Sequence, residues 1–152
     1  MVSVLICGSR EFNPNEQCKK YPSYTYSTLI STLINNLISK YNNKDVEVVE
    51  GDARGVDRWA RSYALGNSYS LKEMKADWSK GKSAGYIRNI EMFEYIKSNP
   101  NKFIFIIWDG VSKGTLHDIK LSHKYNIPCY VFLYKEERWL TKEEYNDVIE
   151  RS

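Results

Sequence analysis

The sequence predicts an α/β fold: a single doubly wound parallel sheet in strand order 3-2-1-4-5, with helices on both faces. Three observations carry this prediction. Short apolar runs alternate with longer amphipathic stretches along the 152 residues, the rhythm of βα units. Residues 2–7 and 103–108 are apolar almost without interruption, as strands covered on both faces must be. Three runs end in glycine-containing turns: Gly8-Ser9-Arg10, Gly51-Asp52-Ala53-Arg54-Gly55-Val56-Asp57 and Asp109-Gly110-Val111-Ser112-Lys113-Gly114-Thr115. In a parallel sheet such turns share one rim, where ligands bind.

The elements follow in order. Residues 2–7 form the first strand, and residues 11–23, polar and carrying Pro14 and Pro22, form a long loop over the rim. Residues 24–41 are helical because Tyr26, Leu29, Ile30, Leu33, Ile34, Leu37 and Ile38 recur at helical spacing. Residues 46–50 are the second strand. A helix over 55–65 stops at Gly66-Asn67. Residues 70–75 are an edge strand, and 83–97 a helix closed by Asn99-Pro100. A strand over 103–108, a helix over 114–125 and a strand over 128–133 complete the core. The last element, 141–150, is a polar helix with Thr141 as N-cap and Glu144 completing a capping box. Right-handed crossovers place the switch point between the first and fourth strands, so the first and third turns flank the crevice. Residues 1–152 are expected to form one Rossmann-like domain with its core in 2–133.

Composition narrows the function classes. Cys7, Cys18 and Cys129 are odd in number and match no zinc spacing, so no disulfide framework is expected. His117 and His123 are six residues apart, not the i, i+4 pair of a helical metal site, and no metal or other cofactor is called for. A net charge of +3 is too small for the dense basic stripe of a general nucleic-acid binder. No apolar run approaches the roughly 20 residues that span a bilayer. The amino terminus, Met-Val-Ser-Val-Leu-Ile, lacks the basic region of a signal peptide. A reduced cytoplasmic protein with no membrane partner is the expectation. Most of the 12 tyrosines sit at scattered polar positions and read as surface residues, base stacking or a subunit contact being the alternative. A homo-oligomer is expected, because the tyrosine-bearing helix over 24–41 can pair.

The turns carry the chemistry. Gly8 permits a tight turn, Ser9 offers a hydroxyl, and Arg10 can make paired hydrogen bonds to phosphate or carboxylate. In the second turn Gly51, Arg54 and Gly55 suit a close-approaching ligand, and Asp57 either complements a helix dipole or accepts hydrogen bonds from a ribose diol. Between the third strand and the next helix, Asp77, Trp78, Lys82, Arg88 and Asn89 add a stacking surface and cations. Gly81-Lys82-Ser83 lacks the upstream glycine and the feeding strand of a Walker A motif. Asp109, Gly110, Ser112, Gly114 and Thr115 open a helix after the most apolar strand, a cradle for phosphate. His117, one turn into that helix, is a candidate to touch the ligand, and His123 is expected at the surface.

These four motifs, in this order, resemble the YspA-like branch of the SLOG superfamily, which groups Rossmann-like domains related to the DNA-processing protein DprA and the cytokinin-activating LOG enzymes. The resemblance runs over residues 2–133. It implies a pocket for a nucleotide or nucleotide derivative, lined by Gly8, Ser9, Arg10, Gly51, Arg54, Gly55, Asp57, Asp77, Trp78, Lys82, Arg88, Asn89, Asp109, Gly110, Ser112, Gly114 and Thr115. LOG enzymes carry Pro-Gly-Gly-x-Gly-Thr-x-x-Glu with a catalytic glutamate. Here residues 108–118 read Trp-Asp-Gly-Val-Ser-Lys-Gly-Thr-Leu-His-Asp, so the proline is missing and Asp118 stands in the glutamate's place.

Two readings follow. The first is a binding protein that captures a nucleotide-derived signal, ADP-ribose-like or cyclic, as a phage sponge for a host defence signal would. The second is a nucleotide hydrolase, acting on an N-glycosidic or phosphate bond, with Asp57 and Asp118 as its catalytic carboxylates. A weaker third is single-stranded DNA binding by analogy to DprA, against which the modest charge argues.

Overall fold

The computed structural model describes residues 1–151. Its elements are β1 (Val2–Gly8), α1 (Tyr26–Ile38), β2 (Val46–Glu50), α2 (Val56–Gly66), β3 (Ser70–Glu73), α3 (Ala84–Ile96), β4 (Lys102–Trp108), α4 (Lys113–Lys124), β5 (Cys129–Leu133), β6 (Arg138–Trp139) and α5 (Lys142–Glu150). Single 3-10 turns lie at Asn43–Asp45 and Trp78–Lys80.

The sheet order is β3-β2-β1-β4-β5-β6. The first five strands are parallel, as their patterning requires, and β6 runs antiparallel to β5, pairing Trp139 with Phe132 and Arg138 with Leu133. The sixth strand is an addition to the predicted order. It has two residues and no apolar run, so neither periodicity nor length announces it.

Alternation along β1 divides the core between the two faces. Val2, Val4 and Ile6 pack with α1 and α2, while Leu5 and Cys7 pack with α3 and α4. β4 follows the same rule, sending Phe103, Phe105 and Ile107 to the first cluster and Ile104, Ile106 and Trp108 to the second. Helix α1 is shorter than its predicted span at both ends. Thr25 caps it, its hydroxyl accepting from the Thr28 amide at 3.3 Å, and Ser39 closes it.

Between β1 and α1 the long loop is fastened by a distant side chain. Glu137, buried and at φ +53°, accepts the Lys19 amide at 2.7 Å and the Lys20 amide at 2.9 Å. At the other end of the chain the predicted capping box is present on α5: Thr141 and Glu144 exchange side-chain and backbone bonds, and Arg138 grips Glu144 at 2.7 and 2.9 Å. Among the described residues no helix is long and apolar enough to cross a membrane.

Candidate functional site

Where β1, β2 and β4 end, the starts of α2, α3 and α4 converge on a cavity of about 460 Å³, inside the size range of small-molecule sites. It gathers residues from all four sequence motifs: Gly8 and Arg10, Asp57, then Trp78, Lys82, Arg88 and Asn89, and finally Ser112, Gly114, Thr115 and Asp118. The switch point between β1 and β4 therefore lies under the site, as the topology demands.

Backbone donors are the first resource of this cavity. Helices α2, α3 and α4 all begin without a side-chain cap; in α2 the Val56 and Arg58 amides go to the Ser9 and Ala53 carbonyls and in α3 the Ala84 amide to the Gly81 carbonyl, whereas the first three amides of α4 have no partner among the described residues. For α4 the cause is visible. Its N-cap hydroxyl, on Ser112, is turned away to the Ser9 hydroxyl at 3.1 Å, and Ser9 also accepts the Asp109 amide at 2.9 Å. Lys113, Gly114 and Thr115 then present an open helix end to the cavity, the arrangement that attracts anions.

Cations are the second. Arg10 lies over the Trp78 indole at 5.9 Å, and Trp78 is 59% exposed, leaving a ring face for stacking. A Cβ on Gly85 would sit 3.8 Å from the Trp78 ring, so the indole rests against a glycine. Among the described residues neither Arg10 nor Lys82 has an ion-pair partner. Arg88 is buried, donating to the Gly51 carbonyl and, from Nε, to Asn89 Oδ1 at 3.0 Å.

Two buried carboxylates are the third. Burial pushes Asp57 up to about 6, against the pull of Arg88 and of the Ala53 amide it accepts at 3.2 Å. Burial and the neighbouring Asp57 push Asp118 up to about 8, against a hydrogen bond from the Cys7 thiol and the charge of Arg88. Asp118 Oδ1 has no hydrogen-bond partner among the described residues. Burial and Asp118 in turn raise the Cys7 thiol well above its ordinary value, so it stays a thiol and not a nucleophile. At neutral pH the floor therefore holds one mostly ionised and one mostly protonated carboxyl group.

Seven residues expected at the site do not line this cavity, and each has another physical role. Ser9 is buried in the bridge between the first and third turns. Gly51 packs under Arg88, whose guanidinium a Cβ would meet at 2.7 Å. Gly55 is explained by packing: at φ +80°, an added Cβ would fall 2.4 Å from the Ser9 carbonyl oxygen and 2.6 Å from that of Arg10. Arg54 reaches outward to Glu11 at 2.6 Å. Asp77 caps the short 3-10 turn, accepting from the Ser79 amide at 3.1 Å and its hydroxyl at 2.5 Å. Asp109 folds its own turn, accepting the amides of Val111 and Ser112 at 2.9 and 2.8 Å, with Gly110 beside it at φ +92°.

His117 does not line this cavity. Its Nδ1 meets Asn89 Nδ2 at 3.3 Å and its ring stands edge-on to Tyr86 at 4.6 Å. His123 is exposed, as expected. Sequence reasoning missed Cys7, Glu11, Ala53, Gly85, Tyr86 and Lys113 as lining residues. Gly85, Tyr86, Ala53 and Lys113 lie inside motifs already singled out, so position within the motif was the signal. Cys7 reads only as core, because the last apolar residue before a strand-end turn looks like any other. Among the described residues no group of three or more His, Cys, Asp or Glu side chains is placed to hold a metal ion.

A family model described as "YspA, cpYpsA-related SLOG family" matches residues 2–81, a shorter span than the one over which the motifs run. Neither a curated protein nor a solved structure matches the chain.

Proposed function

Because the chain belongs to the YspA, cpYpsA-related SLOG family, a membership that suggests nucleotide-related binding or hydrolysis, we propose that it captures a nucleotide-derived molecule in the rim cavity. The observation supporting this most is the convergence of the open start of α4, two further helix starts without side-chain caps, and the cations Arg10 and Lys82, unpaired among the described residues, on one hollow. In this reading a phosphate sits on the start of α4, the base stacks on Trp78, and Asp57 accepts from a ribose hydroxyl. Holding such a ligand without turning it over makes the protein a sink for a signal of ADP-ribose-like or cyclic type.

The test is to purify the protein, release its small molecules by heat and identify them by mass spectrometry. An intact nucleotide derivative is expected, and its affinity should fall by about tenfold in Trp78→Ala, the loss of one base–aromatic stack. Ligand-free protein that binds no nucleotide in titration would sink this reading.

One observation favours the hydrolase reading as well. Asp118 lines the cavity near Asp57 with one carboxyl oxygen buried and unpartnered among the described residues, and their environments push the two groups to different values. Such a split pair can divide the work: protonated Asp118 gives its proton to a leaving base, and ionised Asp57 steadies the positive sugar centre. Chromatography of the released ligand separates the two readings. A cleaved product that disappears in the Asp57→Asn/Asp118→Asn double variant favours hydrolysis, and an unaltered ligand after prolonged incubation favours capture.

A further inference from the structure

A second hollow, of about 440 Å³, opens behind Arg10 and Trp78. It shares Arg10, Ala53, Trp78 and Arg88 with the first, so the Arg10–Trp78 pair is a partition between two compartments. The chemistry of the second compartment is one-sided. Arg10, Arg54, Arg58, Lys75 and Arg88 line it, opposed by the single carboxylate of Asp52.

These cations are held in place without being used up. Asp52, in a left-handed conformation at φ +58°, stands 3.6 Å from Arg58 and 4.0 Å from Lys75. Glu73 lies 3.8 Å from Lys75. All three separations exceed hydrogen-bonding distance. Among the described residues neither the Arg58 nor the Lys75 side chain donates a hydrogen bond. Among the described residues Arg10 has no ion-pair partner, whereas Arg54 pairs with Glu11 at 2.6 Å and Arg88 donates to the Gly51 carbonyl and Asn89. The neighbouring acid does little to balance them: burial and the adjacent Glu73 push the Glu50 carboxyl up from its ordinary value, toward its uncharged form. Several clustered donors with open hydrogen-bonding capacity suit a phosphoryl group, which offers three acceptor oxygens.

We propose that the compartment behind Arg10 and Trp78 is a second phosphoryl-binding subsite. The ligand then carries phosphoryl groups at two separate positions, one on the start of α4 and one beyond the partition, instead of a single terminal phosphate. The inference rests on the nucleotide reading for the first group and adds the second.

Amide NMR of the full chain titrated with inorganic phosphate tests it. Two sets of amides should shift with separate midpoints, one at residues 113–115 and one at residues 52–58 and 75–76. In Arg58→Ala/Lys75→Ala the second midpoint should weaken at least fivefold while the first is unmoved. Adenosine 3′,5′-bisphosphate should bind at least tenfold tighter than adenosine 5′-monophosphate, a gain absent from the variant. Shifts confined to residues 113–115, or equal affinity for the two nucleotides, would overturn the second subsite and leave the nucleotide reading standing. Shifts confined to the second set would uphold the subsite and remove the phosphate seat on α4. Silence in both sets would remove both.

Discussion

Helices α1 and α5 begin differently from α2, α3 and α4. The first two are sealed, α1 by Thr25 and α5 by the reciprocal Thr141–Glu144 box. The other three have no side-chain cap, and these are the three whose first turns face the cavity. A cap contributes about 1 kcal/mol to a helix. The fold accepts that stability at its periphery and forgoes it at the rim, where a capping side chain would occupy the place of an anion. The same contrast appears in two carboxyl groups. The Arg138 guanidinium and the Thr141 amide hold Glu144 down to about 2, while burial lifts Asp118 to about 8. One region is arranged for its own stability, the other keeps the open donors and the buried acid that the proposed ligand requires.

Four tests break or sharpen this contrast. The largest effect is expected of Gly55→Ala at the start of α2, which sets a Cβ against two carbonyl oxygens in a strained conformation. It should cost about 3 kcal/mol in urea denaturation, and a loss below about 1 kcal/mol would refute the packing account of this turn.

Next is the pH dependence of the carboxyl groups. Asp118 has a folded-state value raised above its unfolded one, so its contribution is complete below about pH 4 and is lost as pH rises through about 8. Asp118→Asn should therefore be more stable than the parent at pH 8.5, a gain that vanishes by pH 4. Glu144 is depressed and works in the opposite sense: its contribution is present above its unfolded value and fades as pH falls toward 2. Melting curves of Asp118→Asn, Glu144→Gln and the parent from pH 3 to 9 should show slopes of opposite sign.

Third, Ser112→Asp gives α4 a side-chain cap, as Thr141 gives α5. Nucleotide affinity should fall at least about tenfold, with stability held or raised by about 0.5 kcal/mol. Unchanged affinity in calorimetry would disconnect the open helix end from binding. The smallest effect is that of Thr141→Ala, about 1 kcal/mol of stability with no change in binding. A binding defect there would mean that the two regions are not separable.

Much of this contrast could be read from the residues. The strand order follows from run lengths, apolarity and handed crossovers, and the capping box on α5 from Thr141 and Glu144 alone. Eleven of the expected residues, Asp118 included, meet in one cavity because strand-end turns share a rim. What stayed hidden is the division of labour within each turn. Gly55 and Gly51 look like ligand glycines, and only the three-dimensional approach of Ser9 and Arg88 shows that they make room for protein. Asp77 and Asp109 look like ligand acids, yet each accepts from amides two or three residues on, a local geometry that residue type does not decide. β6 and the Glu137 clamp depend on contacts across more than a hundred residues or on a two-residue pairing, neither of which leaves a periodic trace.

Ser9 has a consequence for motion. Its hydroxyl joins the Asp109 amide and the Ser112 hydroxyl, and its carbonyl accepts the Val56 amide at 3.3 Å, so one residue touches the turns after β1, β2 and β4. None of these turns can swing away without breaking bonds to another. Their amides should then exchange with solvent in a single concerted opening, with Val56 and Asp109 sharing one protection factor. Ligand held at any edge of the rim slows that opening for all three, and the protein is tightened as a whole by what it grips at one corner.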